Sequence, residues 1–140
     1  MKIGIRYKEN IFIIYPWVIG GIIDTMEYTC SLKKNQDFKR IYNKGRSYAN
    51  GLLVTYYLPN QRDYNRLGLS VSKKVGNSVV RNRVKRRIRE SYRLNEVKIK
   101  KGYDIILISR VKANQADFKS IERALIHLMK KVHLWQNQKK

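Results

Sequence analysis

The sequence is poor in several things that would mark other classes of protein. Its 140 residues hold one cysteine, Cys30, so no disulfide can form within the chain. A lone thiol of this kind reads as a small buried or half-exposed side chain. With no disulfide framework, a cytoplasmic home is the expectation. The two histidines, His127 and His133, share one helical stretch, and no Cys or carboxylate cluster accompanies them. The ligand spacings of zinc sites are therefore missing. No bilayer-length apolar segment is present either. The apolar run of residues 11–23, IFIIYPWVIGGII, falls short of the roughly 20 residues a spanning helix needs. Pro16, Gly20 and Gly21 weaken it further as a helix. Lys2, Arg6 and Lys8 precede it like a signal-peptide n-region, yet no small-residue cleavage site follows. Acids are scarce above all: 10 Asp and Glu stand against 31 Lys and Arg, a formal net charge of +21.

What is present is an ordinary globular composition, 43% hydrophobic, which excludes a disordered chain and suits one domain. Residues 26–140 carry 28 of the bases and 8 of the acids. A domain of this size has a radius of gyration of roughly 13 Å, not much more than the Debye length of about 8 Å at physiological salt. So many positive charges repel within screening range, and such a fold suits a polyanionic partner. Nucleic acid is the first candidate and an anionic membrane the second. Residues 1–25 do not match the rest. Three readings stay open for them: an extension from an upstream start codon with Met26 the true first residue, which is favoured; a genuine but poorly ordered tail; or a membrane-targeting segment. The domain is assigned to residues 26–140.

The spacing predicts a short helix over 35–45, with Asn35 as N-cap and Gly45 as the stop. Phe38, Ile41 and Tyr42 share one of its faces. A short strand near 46–48 is expected next. Residues 50–58, NGLLVTYYL, read as a strand, with Leu52, Val54, Tyr56 and Leu58 on one side and Leu53, Thr55 and Tyr57 on the other. Residues 66–73, RLGLSVSK, alternate between an apolar face (Leu67, Leu69, Val71) and a small one (Gly68, Ser70, Ser72). The turn between these two strands suggests an antiparallel hairpin. Gly76-Asn77-Ser78 then caps a helix over about 79–93, with Val80, Val84, Ile88 and Tyr92 as its apolar stripe. Tyr103 to Ser109 reads as a buried strand. A last helix spans about 117–134, its core face formed by Phe118, Ile121, Leu125, Leu128, Val132 and Trp135. The order is αββαβα, with no internal repeat and no low-complexity segment.

The helix over 79–93 carries the strongest functional signal. Residues 81–93, RNRVKRRIRESYR, hold seven Arg or Lys and one acid, Glu90. At 100° per residue the apolar stripe covers about −40° to +80° around Val84. Lys85, Arg89, Asn82, Arg93 and Arg86 fall together at about 100° to 200°. Arg83 and Arg87 extend the charge around the other side. Like charges three and four apart destabilise a helix unless something neutralises them, so the face makes best sense if phosphates complete it, with Arg offering bidentate donors. RNA is favoured over duplex DNA because Phe38, Tyr42, Tyr56 and Tyr57 can offer stacking surfaces beside basic residues. The small Gly68/Ser70/Ser72 face would admit a strand close to the sheet. Phe38 and Tyr42 read equally well as core. No zinc-finger, RRM or KH pattern is found.

Residues 67–90, LGLSVSKKVGNSVVRNRVKRRIRE, resemble the signature region of the bacterial ribonuclease P protein subunit. Arg81-Asn82-Arg83 followed by Lys85-Arg86-Arg87 looks like the family's RNR motif. Residues 37–50, DFKRIYNKGRSYAN, are similar to its first helix and following strand. The resemblance runs over about residues 26–135. It implies an α+β class, a single small αβββαβα sandwich like domain 2 of ribosomal protein S5, with a left-handed βαβ crossover through the basic helix. A right-handed crossover would otherwise be the default. It also implies an accessory subunit of a holoenzyme that removes the 5′ leader of precursor tRNA by endonucleolytic hydrolysis. The catalytic RNA would hold the Mg²⁺ ions and do the chemistry, while the protein contacts the leader and broadens substrate range. No pair of acids after residue 25 is spaced like a two-metal carboxylate site. The implied leader-binding residues are Phe38, Tyr42, Val54, Tyr56, Ser70, Asn82, Lys85 and Arg89. Tyr42 stands where relatives often carry Phe and keeps the stacking face. The implied catalytic-RNA contacts are Lys73, Lys74, Arg81, Arg83, Arg86 and Arg87. The implied partners are the catalytic RNA, one copy per protein, and precursor tRNA, with no membrane. Competing readings are a ribosomal or general RNA-binding protein with no catalytic partner, and a membrane-surface protein using residues 11–23.

Overall fold

The computed structural model describes residues 26–137 in full, together with the backbone of two strands, β1 (Ile3–Tyr7) and β2 (Asn10–Ile14). These two pair antiparallel, from Ile3 opposite Ile14 to Tyr7 opposite Asn10. The three readings of residues 1–25 otherwise fall outside the described residues.

From Met26 onward the chain forms β3 (Thr29–Ser31), α1 (Asn35–Lys44), β4 (Arg46–Ala49), β5 (Leu53–Pro59), β6 (Asn65–Ser70), α2 (Ser78–Asn95), β7 (Tyr103–Ser109) and α3 (Phe118–Lys131). From α1 onward this is the αβββαβα order. Short 3-10 turns at Glu96–Lys98 and Val111–Gln115 flank β7. The five strands β3 to β7 form one sheet in the order β3-β6-β7-β5-β4.

Strand β7 sits at the centre because its sequence leaves it no edge to occupy. Ile105, Ile106 and Leu107 are wholly buried, so both faces are covered. A strand that is apolar on both sides needs a neighbour on each flank and a layer on each face. It pairs antiparallel with β5 and parallel with β6. The expected hairpin between the second and third long strands therefore does not form: β5 and β6 lie two strand widths apart, with β7 between them. The linker lacks a two-residue primed turn, and its residues make other bonds. Asn60 accepts from the Arg62 N–H at 2.9 Å and donates to Asp104 Oδ1 at 2.9 Å. Helix α2 links the adjacent parallel strands β6 and β7, making the βαβ unit.

Two cores lie back to back. On one face Leu53, Leu67, Ile105 and Leu107 meet α2 through Val84, Ile88 and Tyr92, and α3 through Ile121, Leu125, Leu128 and Met129. On the other face Ile106 and Leu32 meet Ile41 of α1, with Phe38, Tyr56, Leu58 and Ile108 half-buried around them. The side assignments along β5 and β6 follow the expected alternation, except that Leu52, just before β5, packs against the first core beside Leu53 rather than with Tyr56 and Leu58.

The helix ends show where local expectations need revision. Asn77 caps α2 by accepting from the Val80 N–H at 3.0 Å. Asn35 is not a cap: it lies inside α1, and Lys34 precedes the helix without a capping side chain. Gly45 does stop α1, but with extended backbone (φ −79°, ψ 167°). Glycine is needed there for close approach. A Cβ would stand 2.6 Å from the Ile41 carbonyl oxygen and 2.8 Å from that of Tyr57. Helix α3 ends at Lys131, earlier than expected. His133 takes φ 63°, the Leu134 N–H reaches the Met129 carbonyl at 2.9 Å, and the His133 N–H reaches Lys130 at 3.2 Å. That is a Schellman ending, with Leu134 and Met129 both buried in the same core. Trp135 consequently leaves the helix stripe and bridges to Ile99 instead.

Candidate RNA-binding surface

The register across β6, β7 and β5 sets the α1-facing side in rows. Arg66 aligns with Asp104 and Leu58, Gly68 with Ile106 and Tyr56, Ser70 with Ile108 and Val54. Helix α1 covers the first two rows and leaves the third half-exposed.

An ionic cluster fixes α1 at the first row. Asp104 accepts from Arg66 twice, at 2.9 and 2.7 Å, and from Arg40 at 2.7 Å. Asp37 accepts from the same Arg40 at 2.7 Å. Burial alone would raise the Asp104 carboxyl, but hydrogen bonds from Arg66 and Asn60 and the nearby Arg66 and Arg40 charges outweigh it, and the net displacement is downward. The cluster is charged and self-neutralising, so it holds α1 in place without adding to the phosphate-binding charge.

The second and third rows carry the aromatic wall. Phe38 and Tyr42, one helical turn apart, have ring centroids 6.4 Å apart. Tyr42 meets Tyr56 edge-on at 4.9 Å. Burial raises the Tyr42 phenol, a hydrogen bond from Ser70 pulls it down, and Tyr56 pushes it up; the net direction is upward, so the ring stays neutral. Phe38, Tyr42, Tyr56 and Ser70 thus form one patch, with Val54 beside Ser70 across Ile108. Tyr42 is 38% exposed, enough to offer a ring face. Tyr57 points to the opposite core and is no part of the patch. The small face of β6 has a different purpose from the one expected. A Cβ on Gly68 would lie 2.6 Å from the Phe38 ring, so this glycine seats Phe38 rather than leaving room for RNA.

Beside this wall, β3 ends at Ser31 opposite Leu67, and the edge of β6 beyond it is uncovered. There a cleft of about 200 Å³ opens between the strand edge and α2. Phe38 and Leu69 line it together with Lys85 and Arg89 of α2. Among the described residues neither Lys85 nor Arg89 has a partner within the protein. Asn82, about one turn earlier on α2, is exposed and does not line the cleft. Met26, Cys30, Ser31, Leu32 and Lys33 also line it, and sequence reasoning missed them. Cys30 and Ser31 lie in β3 and the others flank it, and a strand of three residues is too short to show a period. Cys30 is half-buried, and burial pushes its thiol up despite Arg66 and Arg62 nearby, so it stays protonated and unreactive.

The remaining basic residues divide by what they touch. Arg81 donates to the Gly76 carbonyl at 3.1 Å, Arg83 to Asn114 at 3.2 Å and Arg87 to Ala116 at 2.6 Å. Each spends one donor tying α2 to a neighbouring loop and keeps the rest of its guanidinium fork. Arg86, Lys73 and Lys74 are exposed. Arg93 is turned back to Glu90 in an ion pair. Among the described residues no three His, Cys, Asp or Glu side chains gather as a metal site. The acids have other work: Glu96 accepts the Glu27 and Tyr28 N–H groups at 2.9 and 2.8 Å, and Asp117 caps α3. No described helix is long and apolar enough to cross a membrane.

Comparison with known proteins decides the family. The Ribonuclease P family model matches residues 26–133. The chain belongs to the ribonuclease P protein family. It is 56% identical over 109 residues to the ribonuclease P protein component of Alkaliphilus metalliredigens, covering 78% of this chain and 98% of that one. It is 50% identical over 116 residues to that of Clostridium perfringens, covering 78% and 93%. Among solved structures, the Staphylococcus aureus RNase P protein superposes with a TM-score of 0.71 at 43% identity, over 76% of this chain and 97% of that one. The Thermotoga maritima RNase P protein gives 0.68 at 36% identity, over 72% and 96%. The chain is thus the protein subunit of a bacterial ribonuclease P, the tRNA-processing endoribonuclease, and its partner is the ribonuclease P RNA.

Proposed function

We propose that the protein holds the single-stranded 5′ leader of precursor tRNA between the aromatic wall and the basic face of α2, in the cytoplasm, while the ribonuclease P RNA performs the hydrolysis. The observation that carries this is the cleft in which Phe38 of α1 faces Lys85 and Arg89 of α2, continuous with Tyr42 and Tyr56. Stacking rings opposite unpaired cations suit an unpaired strand: bases take the rings and phosphates take the charges. Val54 and Ser70 extend the floor, and Asn82 adds a donor on the shoulder. The faces carrying Arg81, Arg83, Arg86 and Arg87, with Lys73 and Lys74, meet the catalytic RNA in a 1:1 complex.

Mg²⁺ belongs to the RNA in this reading. The described carboxylates are mostly committed to arginines, backbone N–H groups and helix caps, and they offer no converging set of hard oxygen donors. The protein's contribution is positioning. It lowers the electrostatic cost of bringing two RNAs together and so reduces the Mg²⁺ the holoenzyme needs.

The test is precursor-tRNA cleavage at low Mg²⁺ with the full chain, with and without the cognate RNA. Activity in the mixture and none with protein freed of RNA is the expected result. Cleavage by RNA-free protein would overturn the assignment of the chemistry. Tight RNA binding with no stimulation of cleavage would overturn the leader role.

A further inference from the structure

A second surface pairs an aromatic ring with basic residues, and none of its residues lines the leader cleft. The Schellman ending of α3 turns the chain so that residues 134–136 run beside residues 98–100. The Lys100 N–H meets the Leu134 carbonyl at 2.8 Å and the Gln136 N–H meets Lys98 at 2.7 Å. Trp135, half-buried, is thereby set between two lysines from different elements. The Lys98 Nζ lies 5.6 Å from its ring centroid and the Lys130 Nζ 5.8 Å. Lys100, Lys130, His133, Trp135 and Asn137 line a hollow of about 410 Å³ beside it. None of these lysines forms an ion pair among the described residues.

Two ammonium groups beside one indole, with Lys100 on the wall of the same hollow and no carboxylate paired to any of them, form a like-charged cluster. A cation beside an exposed ring gains little, because water competes for it. The ring alone is a weak counterweight to that repulsion. Phosphates would relieve it, and lysines drawn to phosphates would free the indole face for a base. The hollow is open and the ring broad, which fits an unpaired nucleotide better than a regular helix backbone.

We propose that Trp135, Lys98, Lys100 and Lys130 form a second RNA-binding site, which takes an unpaired nucleotide on the indole and its flanking phosphates on the lysines. It rests on the ribonuclease P reading only for the identity of the two RNAs that could supply that nucleotide, the catalytic RNA or precursor tRNA.

The full chain has two tryptophans, Trp17 and Trp135. A Trp17→Phe background leaves Trp135 as the sole indole fluorophore. It is titrated separately with the cognate ribonuclease P RNA and with precursor tRNA. Quenching of Trp135 emission by one of them is expected, and the RNA that quenches identifies the source. A Lys100→Gln/Lys130→Gln variant, changed only at exposed positions, should shift the quenching midpoint several-fold. It should also flatten the slope of log Kobs against log salt by about 1.4, at about 0.7 per phosphate contact on a single strand. Unchanged emission with both RNAs, together with an unchanged salt slope in that variant, would overturn the site. A Lys85→Gln/Arg89→Gln variant probes the leader cleft separately, so failure of one reading is distinguishable from failure of the other.

Discussion

At the scale of single residues, the aromatic wall depends on one glycine and one tyrosine. Gly68 matters because the Phe38 ring occupies the space its side chain would need. Gly68→Ala must push Phe38 aside, and overpacking of this kind costs about 1–3 kcal/mol. The variant should melt earlier and bind leader more weakly. Trimming the ring as well, in Gly68→Ala/Phe38→Leu, should recover part of the stability but not the leader affinity. Equal recovery of both, by melting and leader-binding titration, would show that Phe38 is only a packing residue. Tyr56 poses the complementary case, since its ring supports Tyr42 edge-on at 4.9 Å. Tyr56→Ala should lose about 1–3 kcal/mol of leader binding, the range for one base stacked on an aromatic ring. Affinity for the catalytic RNA should stay the same in that variant. Loss of affinity for both RNAs in titrations against each would mean that the two surfaces are not separate.

At the scale of elements, the ionic cluster that fixes α1 makes a pH prediction. Asp104 is held below its ordinary value in the fold. A carboxylate with a depressed folded pKa contributes stability that is fully present above its unfolded value, near 3.9, and is lost as pH falls through the folded value. The protein should therefore lose stability on acidification below about pH 4, and Asp104→Asn should flatten that acid limb. The same change leaves Arg66 and Arg40 short of a carboxylate. Breaking a buried pair from one side costs about 3–5 kcal/mol, so the variant should also be less stable at neutral pH. Urea melts of both proteins across pH 2.5–7 would check it, and parallel acid limbs would refute it. The elements also show what the sequence could and could not tell. Helix α2 was legible because Val80, Val84, Ile88 and Tyr92 repeat on a local period, and Lys85 and Arg89 followed from the same wheel. Strand β7 was legible because an unbroken apolar run has one place to go. The pairing of β5 with β7 was not, because strand order is set by contacts far apart in the sequence and by the need to cover β7 on both flanks. Strand β3 was too short to carry a pattern. Trp135 looked like core because its spacing continues α3, and only the left-handed turn at His133 removes it from that stripe.

At the scale of the whole molecule, the excess charge acts in opposite directions on the free protein and on its complexes. Among the described residues the acids that offset bases are mostly spent locally, on Arg40, Arg66 and Arg93, so most of the cations remain uncompensated. They sit within a few Debye lengths of one another, and each added increment of salt screens their repulsion. Salt should therefore raise the Tm of the free protein while weakening its hold on RNA, because phosphate contacts release condensed counterions that salt makes costlier to free. Arg86 separates the two effects. It is exposed and forms no hydrogen bond or ion pair within the protein among the described residues, so Arg86→Ala should leave the Tm nearly unchanged or slightly higher. The same change should flatten the salt slope for the catalytic RNA by about 0.7–0.9, the loss of one phosphate contact. Thermal melts and RNA titrations at 50 to 400 mM KCl test both halves. A Tm that falls as salt rises would mean that the Asp104 cluster outweighs the net repulsion. An unchanged salt slope in Arg86→Ala would place that side chain away from the RNA.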